Sequence, residues 1–594
     1  MPESASRIAK LREHLVKQGL SAWISITSDP HASEYVPGRW AERAWLSGFT
    51  GSYGILVVTA SEALLWTDSR YWVQASRQLE GSGIALMKLG APGVRGWIEW
   101  LSENLASGSS AGISGESLPL ELETKLREAL DPRGIALRTD LNLAAEIWTD
   151  RPALPHSRIY ENTLAPEPAG HKLERLRGEL AKKGADAFAT SALDEIGWLT
   201  NLRGSDVDYN PVFLSHLLVL KDQAFVFLNE DGLPAKLRPK LEAEGFCIRP
   251  YDAFRDSLRA LPALRLFIDP SVISSTAAGA IGRQVEIIRG MSPIALLKTR
   301  KTKEEIRLIE ETMKKDGAAL CRFYAWLEEE LARGRALTEM DVVRRLHEER
   351  SRESGYVSES FGTIAAVGPN AALPHYTPDE AHCSPLAGDT VLLIDSGAQY
   401  QSGTTDITRV TAIHRPPEAL RKDYTAVLRA HLHLLDAYFP EGAYASQLDT
   451  FARAPLWETD ADFGHGTGHG VGFFMNVHER PYSISPRSLP SEATRTVEGV
   501  VVSDEPGLYR EGRWGIRIES LITPEVRSES EFGRFMGFRA LTLCPIDTRL
   551  IVARMMKSEE IALLNRYHRQ VREALLDRVE GKALDWLVKS TEWF

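Results

Sequence analysis

Two stretches far apart in the chain carry the same order of apolar and charged positions. Lys10 to Gly19 (KLREHLVKQG) and Arg175 to Gly184 (RLRGELAKKG) each predict an amphipathic helix that stops at a glycine, and each is followed by an apolar, strand-like run. Each copy later carries a Trp-Leu pair, Trp45-Leu46 and Trp198-Leu199. This self-similarity predicts a duplicated α/β unit, with copies at residues 1 to about 155 and about 156 to 293. Pro-rich punctuation at Arg151 to Pro155, at Ala165 to Pro168 and before Pro293 marks the boundaries, and a basic helix is expected from Lys298 to Glu311.

From about 294 to the end the pattern changes. Long helical periodicities over Glu304 to Arg333 and Thr338 to Arg352 give way to short β-rich runs: Thr390 to Asp395, Thr404 to Ala412, Gly499 to Asp504 and Trp514 to Ile522. An antiparallel sheet covered by helices, an α+β domain, is predicted, with a helical extension at about 540–594 whose tail is helical from Ser558 to Trp593. The fold class is therefore α/β and α+β, multidomain.

Composition narrows the function. A chain of 594 residues, 43% hydrophobic and 25% charged, is long enough for several buried cores and has no disordered signature. A formal charge of −11 with no long Lys/Arg run argues against nucleic acid as a partner. Cys247, Cys321, Cys383 and Cys544 form no CxxC pair, so reduced, buried thiols are expected rather than disulfides or a thiolate zinc site. Met1 to Leu20 is charged throughout, and no run approaches the roughly 18–20 apolar residues of a membrane span. A cytoplasmic location without membrane attachment is the expectation.

The candidate chemistry lies in the last part. Asp395 closes an apolar run, Asp406 sits in Thr404 to Arg409, and the two are equidistant from Tyr400-Gln401. A hairpin folding there places both carboxylates roughly opposite one another, with Cβ atoms about 4.5–5.5 Å apart. Glu505 and Glu519 repeat the arrangement around Gly512. Four carboxylates packed together repel and raise one another's pKa unless cations neutralise them. Two divalent ions sharing such ligands hold a water and lower its pKa, so metal-assisted hydrolysis is the predicted chemistry. In the run Gly464 to Gly472, five glycines surround His465 and His469, and one of these imidazoles could complete the site. Mostly oxygen ligands with one nitrogen favour Mn²⁺, with Co²⁺, Fe²⁺ or Zn²⁺ possible.

Other strings are set aside. Gly108 to Gly112 fits G-x-S-x-G, but Gly93 to Leu105 before it reads as helix, not the strand a nucleophile elbow requires. His347-Glu348 and His478-Glu479 begin like a zincin motif, but Ser351 and Tyr482 occupy the second His position.

Taken together, Trp66 to Tyr71, Ala192 to Asp206, Ile394 to Tyr400, Gly403 to Arg409, His465 to Gly472, Asp504 to Gly507, Gly515 to Glu519 and the tail Leu541 to Trp586 carry a family resemblance over essentially the full length. The chain resembles the metal-dependent aminopeptidases of the pita-bread fold, and within them the three-domain, cytosolic-type Xaa-Pro aminopeptidases. The resemblance implies two related creatinase-like α/β domains (1–155 and 156–293) and a catalytic pita-bread domain (294–594). It implies release of the first residue from peptides with proline in second position, using two Mn²⁺ ions, and commonly a homodimer. It further implies that Asp395 ligates one metal, Asp406 and Glu519 bridge both, and His469 and Glu505 ligate the other, with Glu505 also the general base. His375, His465 and His478 match histidines that bind substrate, stabilise the gem-diolate or deliver a proton to the leaving proline nitrogen, with His375 and His478 the catalytic pair. Arg70 matches a substrate-reaching position, whereas Arg517 is given no definite role. Pro374 before His375 and Phe473 to Met475 after the glycine run depart locally from the pattern. A prolidase would share the metal set but take only dipeptides, a creatinase-like hydrolase dispenses with metal, and a pita-bread binding module would carry a degenerate site.

Overall fold

The computed structural model describes residues 3–594, in two compact units, the first ending at Ile294 and the second running Ala295–Phe594. In the first unit a six-stranded sheet runs, edge to edge, through Ala85–Lys88, Ala63–Thr67, Ile55–Thr59, Ala22–Ile26, Ser110–Ile113 and Ala136–Arg138. A second six-stranded sheet follows the same path through Phe246–Pro250, Ala224–Leu228, Ser215–Val219, Ala187–Thr190, Arg265–Ile268 and Glu286–Arg289. The parallel and antiparallel neighbours match strand for strand between the two. The repeated helices, Glu3–Gln18 and Ala169–Lys182, each precede the central strand of their sheet. Each buries its apolar stripe, Ile8, Leu11 and Leu15 in one and Leu173, Leu176 and Leu180 in the other.

The halves of this unit are joined by backbone bonds such as Leu120 N to Ile273 O (3.0 Å) and Ser275 N to Leu118 O (2.7 Å). His31 adds a buried polar tie: Nδ1 lies 2.8 Å from the Ser191 carbonyl and Nε2 2.8 Å from the Tyr251 hydroxyl. Burial holds this imidazole below its ordinary pKa, which suits a neutral ring bonded at both nitrogens.

The second unit opens with a correction to the expected basic helix. Pro293–Thr299 and Lys303–Ala332 are separate helices, because Thr302 caps the second one: its side chain accepts from Glu305 N while Glu305 bonds back to the Thr302 N–H. Strands Ile364–Val367, Thr390–Ser396 and Ile407–Ile413 form a three-stranded antiparallel sheet. Tyr438–Pro440, Gly533–Ala540, Ser520–Ser530, Val502–Asp504, Gly468–Gly470 and Glu479–Ile484 form a six-stranded one, and the hairpin Gly507–Arg510 with Trp514–Arg517 stands apart. Helices Lys303–Ala332, Glu418–Leu435 and Ala445–Trp457 cover these sheets over one continuous core that includes Leu393, Val427, Leu428, Leu521 and Ile522. The tail ends in helices Ser558–Leu575 and Gly581–Ser590. All four cysteines are free, and among the described residues no helix is long and apolar enough to cross a membrane.

Candidate metal centre

The second carboxylate pair sits as its spacing predicts. Gly507 faces Arg517 and Asp504 faces Ser520, and these registers bracket Glu505 and Glu519 and set them opposite each other. The first pair is offset from the expected hairpin. Asp395 faces Thr408, so Asp406, two residues earlier, is its diagonal neighbour. The cause is a small hairpin between them, Gln399 facing Thr404 and Tyr400 facing Gly403, which turns at Gln401-Ser402. Ser402 Oγ lies 2.7 Å from Thr312 Oγ1 on the long helix, which pins that turn.

The two sheets are then brought together. Glu519 N donates to the Thr408 carbonyl at 3.1 Å, and the Thr408 hydroxyl donates to Glu519 Oε2 at 2.7 Å. His469 enters from the glycine run. Its Nδ1 lies 3.0 Å from the Gly470 carbonyl, leaving Nε2 3.4 Å from Asp406 Oδ2 and 3.5 Å from Glu505 Oε1. That hydrogen bond keeps the proton on Nδ1, so loss of the Nε2 proton to an arriving cation leaves a lone pair facing the carboxylates, the state a metal-ligating histidine needs. The glycines around it answer to close approach, since a Cβ at Gly468 would fall 1.8 Å from the Ser503 carbonyl oxygen. Ser503 in turn accepts from His469 N (2.9 Å) and donates to Glu505 Oε1 (3.1 Å).

Electrostatically the cluster is unbalanced by itself. Burial raises the Asp395 carboxyl, and burial together with Asp406, Glu505 and Asp395 pushes Glu519 well above the usual carboxylate range. Burial likewise lifts Glu505 to about 7, against the pull of His469 and Arg517. Burial alone would lower His469, but the Asp406 hydrogen bond and the Glu505 charge outweigh it and hold the ring at about 9.

Two observations test whether cations fit. Asp395 Oδ1 and Glu519 Oε1 are buried with no hydrogen-bond partner, a costly state for carboxylate oxygens. One donor atom each from Asp406, His469 and Glu519 lies within 4.8 Å of the others. Orphaned acceptors beside a carboxylate-rich, single-imidazole donor set fit a pair of divalent ions.

Three of the other expected residues, His375, His465 and His478, belong to the same unit as this centre. His478 meets His469 edge to face, with ring centroids 4.4 Å apart. Its neighbour Glu479 is buried against Lys301 and, at 3.4 Å, Lys298. His465 Nδ1 is 2.7 Å from the Gly466 carbonyl, and its Nε2 is 2.8 Å from the Tyr509 hydroxyl. His375 is half-buried in the loop after Gly368–Ala372. Arg70 belongs to the first unit, where it makes a bidentate pair with Asp68 (2.9 and 2.8 Å) and lies over the Tyr71 ring.

Sequence reasoning missed Tyr509, Thr408 and Ser503 and left Arg517 without a role. Arg517 donates to Asp395 Oδ2 (2.5 Å), to the Tyr509 hydroxyl (2.8 Å) and to Thr408 Oγ1 (3.1 Å). The available signal was alternation: Tyr509 lies four residues beyond Glu505 and Arg517 two before Glu519 on paired strands.

Duplicated creatinase-type sheets and an antiparallel unit holding a carboxylate-lined cation centre define the pita-bread metallohydrolase class. The description "Metallopeptidase family M24" matches residues 307–523, and "C-terminal region of peptidase_M24" matches 534–594. "Creatinase/Prolidase N-terminal domain" matches twice, at 7–139 and 150–305. The chain belongs to the Xaa-Pro aminopeptidases of metallopeptidase family M24. Aminopeptidase P2 of Arabidopsis thaliana is 37% identical, with 96% of this chain and 86% of that relative covered. A probable Xaa-Pro aminopeptidase P of Coprinopsis cinerea is 37% identical over 99% of this chain and 98% of its own length. Among solved structures, the X-prolyl aminopeptidase of Caenorhabditis elegans, described as a cytosolic enzyme with a di-nuclear active site, superposes with a TM-score of 0.95 at 33% identity, covering both chains completely. The Xaa-Pro dipeptidase of Bacillus anthracis matches at a TM-score of 0.50 and 25% identity, over 64% of this chain and 99% of its own.

Proposed function

We propose that this protein hydrolyses the N-terminal Xaa-Pro bond of peptides, releasing the residue before proline. The observation that carries the reading is the group of donor atoms on Asp406, His469 and Glu519 within 4.8 Å of one another, with Glu505 3.5 Å from His469 and partnerless buried oxygens on Asp395 and Glu519. Asp395 would hold one ion, His469 and Glu505 the other, and Asp406 and Glu519 both. Two such ions supply Lewis-acid polarisation of the scissile carbonyl and a nucleophilic water at neutral pH. Manganese is the ion we propose, on the strength of four carboxylates to one imidazole.

The chain's own residues handle the protons. Glu505, beside the proposed ions, is the carboxylate we assign as the base that takes a proton from the attacking water. An Xaa-Pro bond is a tertiary amide, so its nitrogen must be protonated to leave, and His375 and His478 are the imidazoles assigned to deliver that proton. His465, bonded to Tyr509, orients substrate. Arg70 is assigned a contact with substrate from the first unit, which we divide into domains at residues 1–155 and 156–293, before the catalytic domain at 294–594. A cytoplasmic homodimer is the assembly we propose, in keeping with the cytosolic Caenorhabditis elegans enzyme for location.

Full-length likeness to an aminopeptidase, against partial likeness to a dipeptidase, favours longer peptides over dipeptides as substrates. The test is product analysis by mass. With Mn²⁺, an Xaa-Pro-Pro tripeptide should release its first residue while an Xaa-Ala-Pro control stays intact. Cleavage of an Xaa-Pro dipeptide alone would mean a prolidase.

A further inference from the structure

Glu339 is the first residue of helix Glu339–Ser351 and is 0% exposed, a position where an ionised carboxylate is normally unaffordable without full hydrogen bonding. It has four donors. Oε1 accepts from Val367 N (2.7 Å) and Asn370 Nδ2 (2.9 Å), and Oε2 accepts from the Tyr376 hydroxyl (2.8 Å) and Ser384 N (2.7 Å). All four come from one stretch, residues 367–384, and they flank His375 on both sides. Asn370 also donates to Ser384 Oγ at 3.0 Å, which closes the stretch on itself.

The opposite side of this stretch is held by the metal centre. Arg517 Nη2, which donates to Asp395, also reaches the Pro374 carbonyl at 3.4 Å. Gly515 packs so closely that a Cβ there would fall 1.7 Å from the Ala371 carbonyl oxygen. His375 therefore rides on a segment pinned between Glu339 and the Asp395–Arg517 pair. Charge-assisted bonds of this kind are stronger than neutral ones and impose geometry as well as stability.

We propose that Glu339 is a positioning residue for the reaction: acting through Tyr376 and the 367–384 backbone, it holds His375 at the metal centre. The inference rests on the role assigned to His375 above. Proton delivery tolerates little misplacement, so loosening this tether should lower kcat more than it raises KM.

The cleanest variant is Tyr376→Phe, which removes one hydroxyl, with Glu339→Gln as the conservative change at the hub. On the Mn²⁺-loaded protein and an Xaa-Pro-Pro tripeptide, each should lower kcat by about tenfold, with KM and Mn²⁺ affinity moving less than about twofold. In a His375→Asn background neither should cost anything further, because the group they position is gone. Hydrogen exchange by mass spectrometry should show faster exchange over 367–384 in Tyr376→Phe and no change over Thr390–Ser396. Equal losses of kcat with and without His375, or unchanged exchange over 367–384, would overturn the proposal. If the wild-type protein releases nothing from the tripeptide, it is the functional reading and His375's role that fail, while exchange still decides whether Glu339 holds the segment.

Discussion

Arg517 donates from Nη2 to Asp395 Oδ2 at 2.5 Å, and it is a buried cation that feels the charges of Asp395, Glu519 and Glu505. One Asp395 oxygen is thereby committed, and the other, Oδ1, is left without a partner and faces the role of ligand. Arg517 thus selects which oxygen of Asp395 is presented. Lysine cannot reproduce this, because a single ammonium cannot reach Asp395, Tyr509 and Thr408 in one plane. Arg517→Lys is expected to weaken Mn²⁺ binding or kcat/KM by about 10- to 100-fold, measured by calorimetry and steady-state kinetics.

The hydrogen-bonded row His465, Tyr509, Arg517 has a fixed direction. Arg517 can only donate, so the Tyr509 oxygen accepts from it and the Tyr509 proton goes to His465 Nε2, which agrees with Nδ1–H facing the Gly466 carbonyl. Removing the hydroxyl in Tyr509→Phe deletes this bond to His465 Nε2 without touching a metal ligand. Turnover should fall by about tenfold while the Mn²⁺ stoichiometry stays the same, as read by metal analysis of the purified variant.

Without metal the centre should titrate as a destabilising group. The folded protein holds a proton on Glu505 up to about 7, whereas the unfolded chain releases it near the ordinary 4.5. Stability from this group is present below the unfolded value and is lost as pH rises through about 7. Thermal melts of chelator-treated protein should therefore show the wild type losing stability relative to Glu505→Gln between pH 5 and 8. Added Mn²⁺ should raise the wild-type Tm most at the upper end of that range, since ligand binding stabilises by mass action.

Glycine contacts predict opposite outcomes at two positions. Gly468→Ala puts a Cβ into the Ser503 carbonyl and must shift the strand that carries His469, so it should cost roughly 3 kcal/mol or more and abolish metal binding. Gly178→Ala, on an exposed face of helix Ala169–Lys182 with no atom within 4 Å of the new Cβ, should stabilise by about 1 kcal/mol. Denaturant melts of the two variants check both signs.

Much of this centre was legible in the sequence because strand registers follow from symmetry. Glu505 and Glu519 are spaced evenly about Gly512, and the pairing of Gly507 with Arg517 keeps that centre. Asp395 and Asp406 misled the same argument by two residues, because the register depends on where an intervening hairpin turns. That was settled by Ser402 bonding to Thr312, some 90 residues away. Likewise the break between Thr299 and Lys303 was hidden behind a continuous helical pattern that Thr302 interrupts by capping. Tyr509 and Thr408 read as ordinary β-formers and Ser503 as a plain strand serine, and their hydroxyls gain meaning only when separate strands meet, as when Arg517 reaches Thr408, 109 residues away. Glu339 was invisible for the same reason, since its four partners converge only in the fold.

The most direct test is turnover of an Xaa-Pro-Pro tripeptide by metal-stripped protein as Mn²⁺ is added in known equivalents. The account predicts no release of the first residue without metal, recovery that saturates at two equivalents per chain, and no recovery in Glu505→Ala. Full turnover by the stripped protein, or by Glu505→Ala with Mn²⁺, would contradict the assignment of the carboxylate cluster as the catalytic centre.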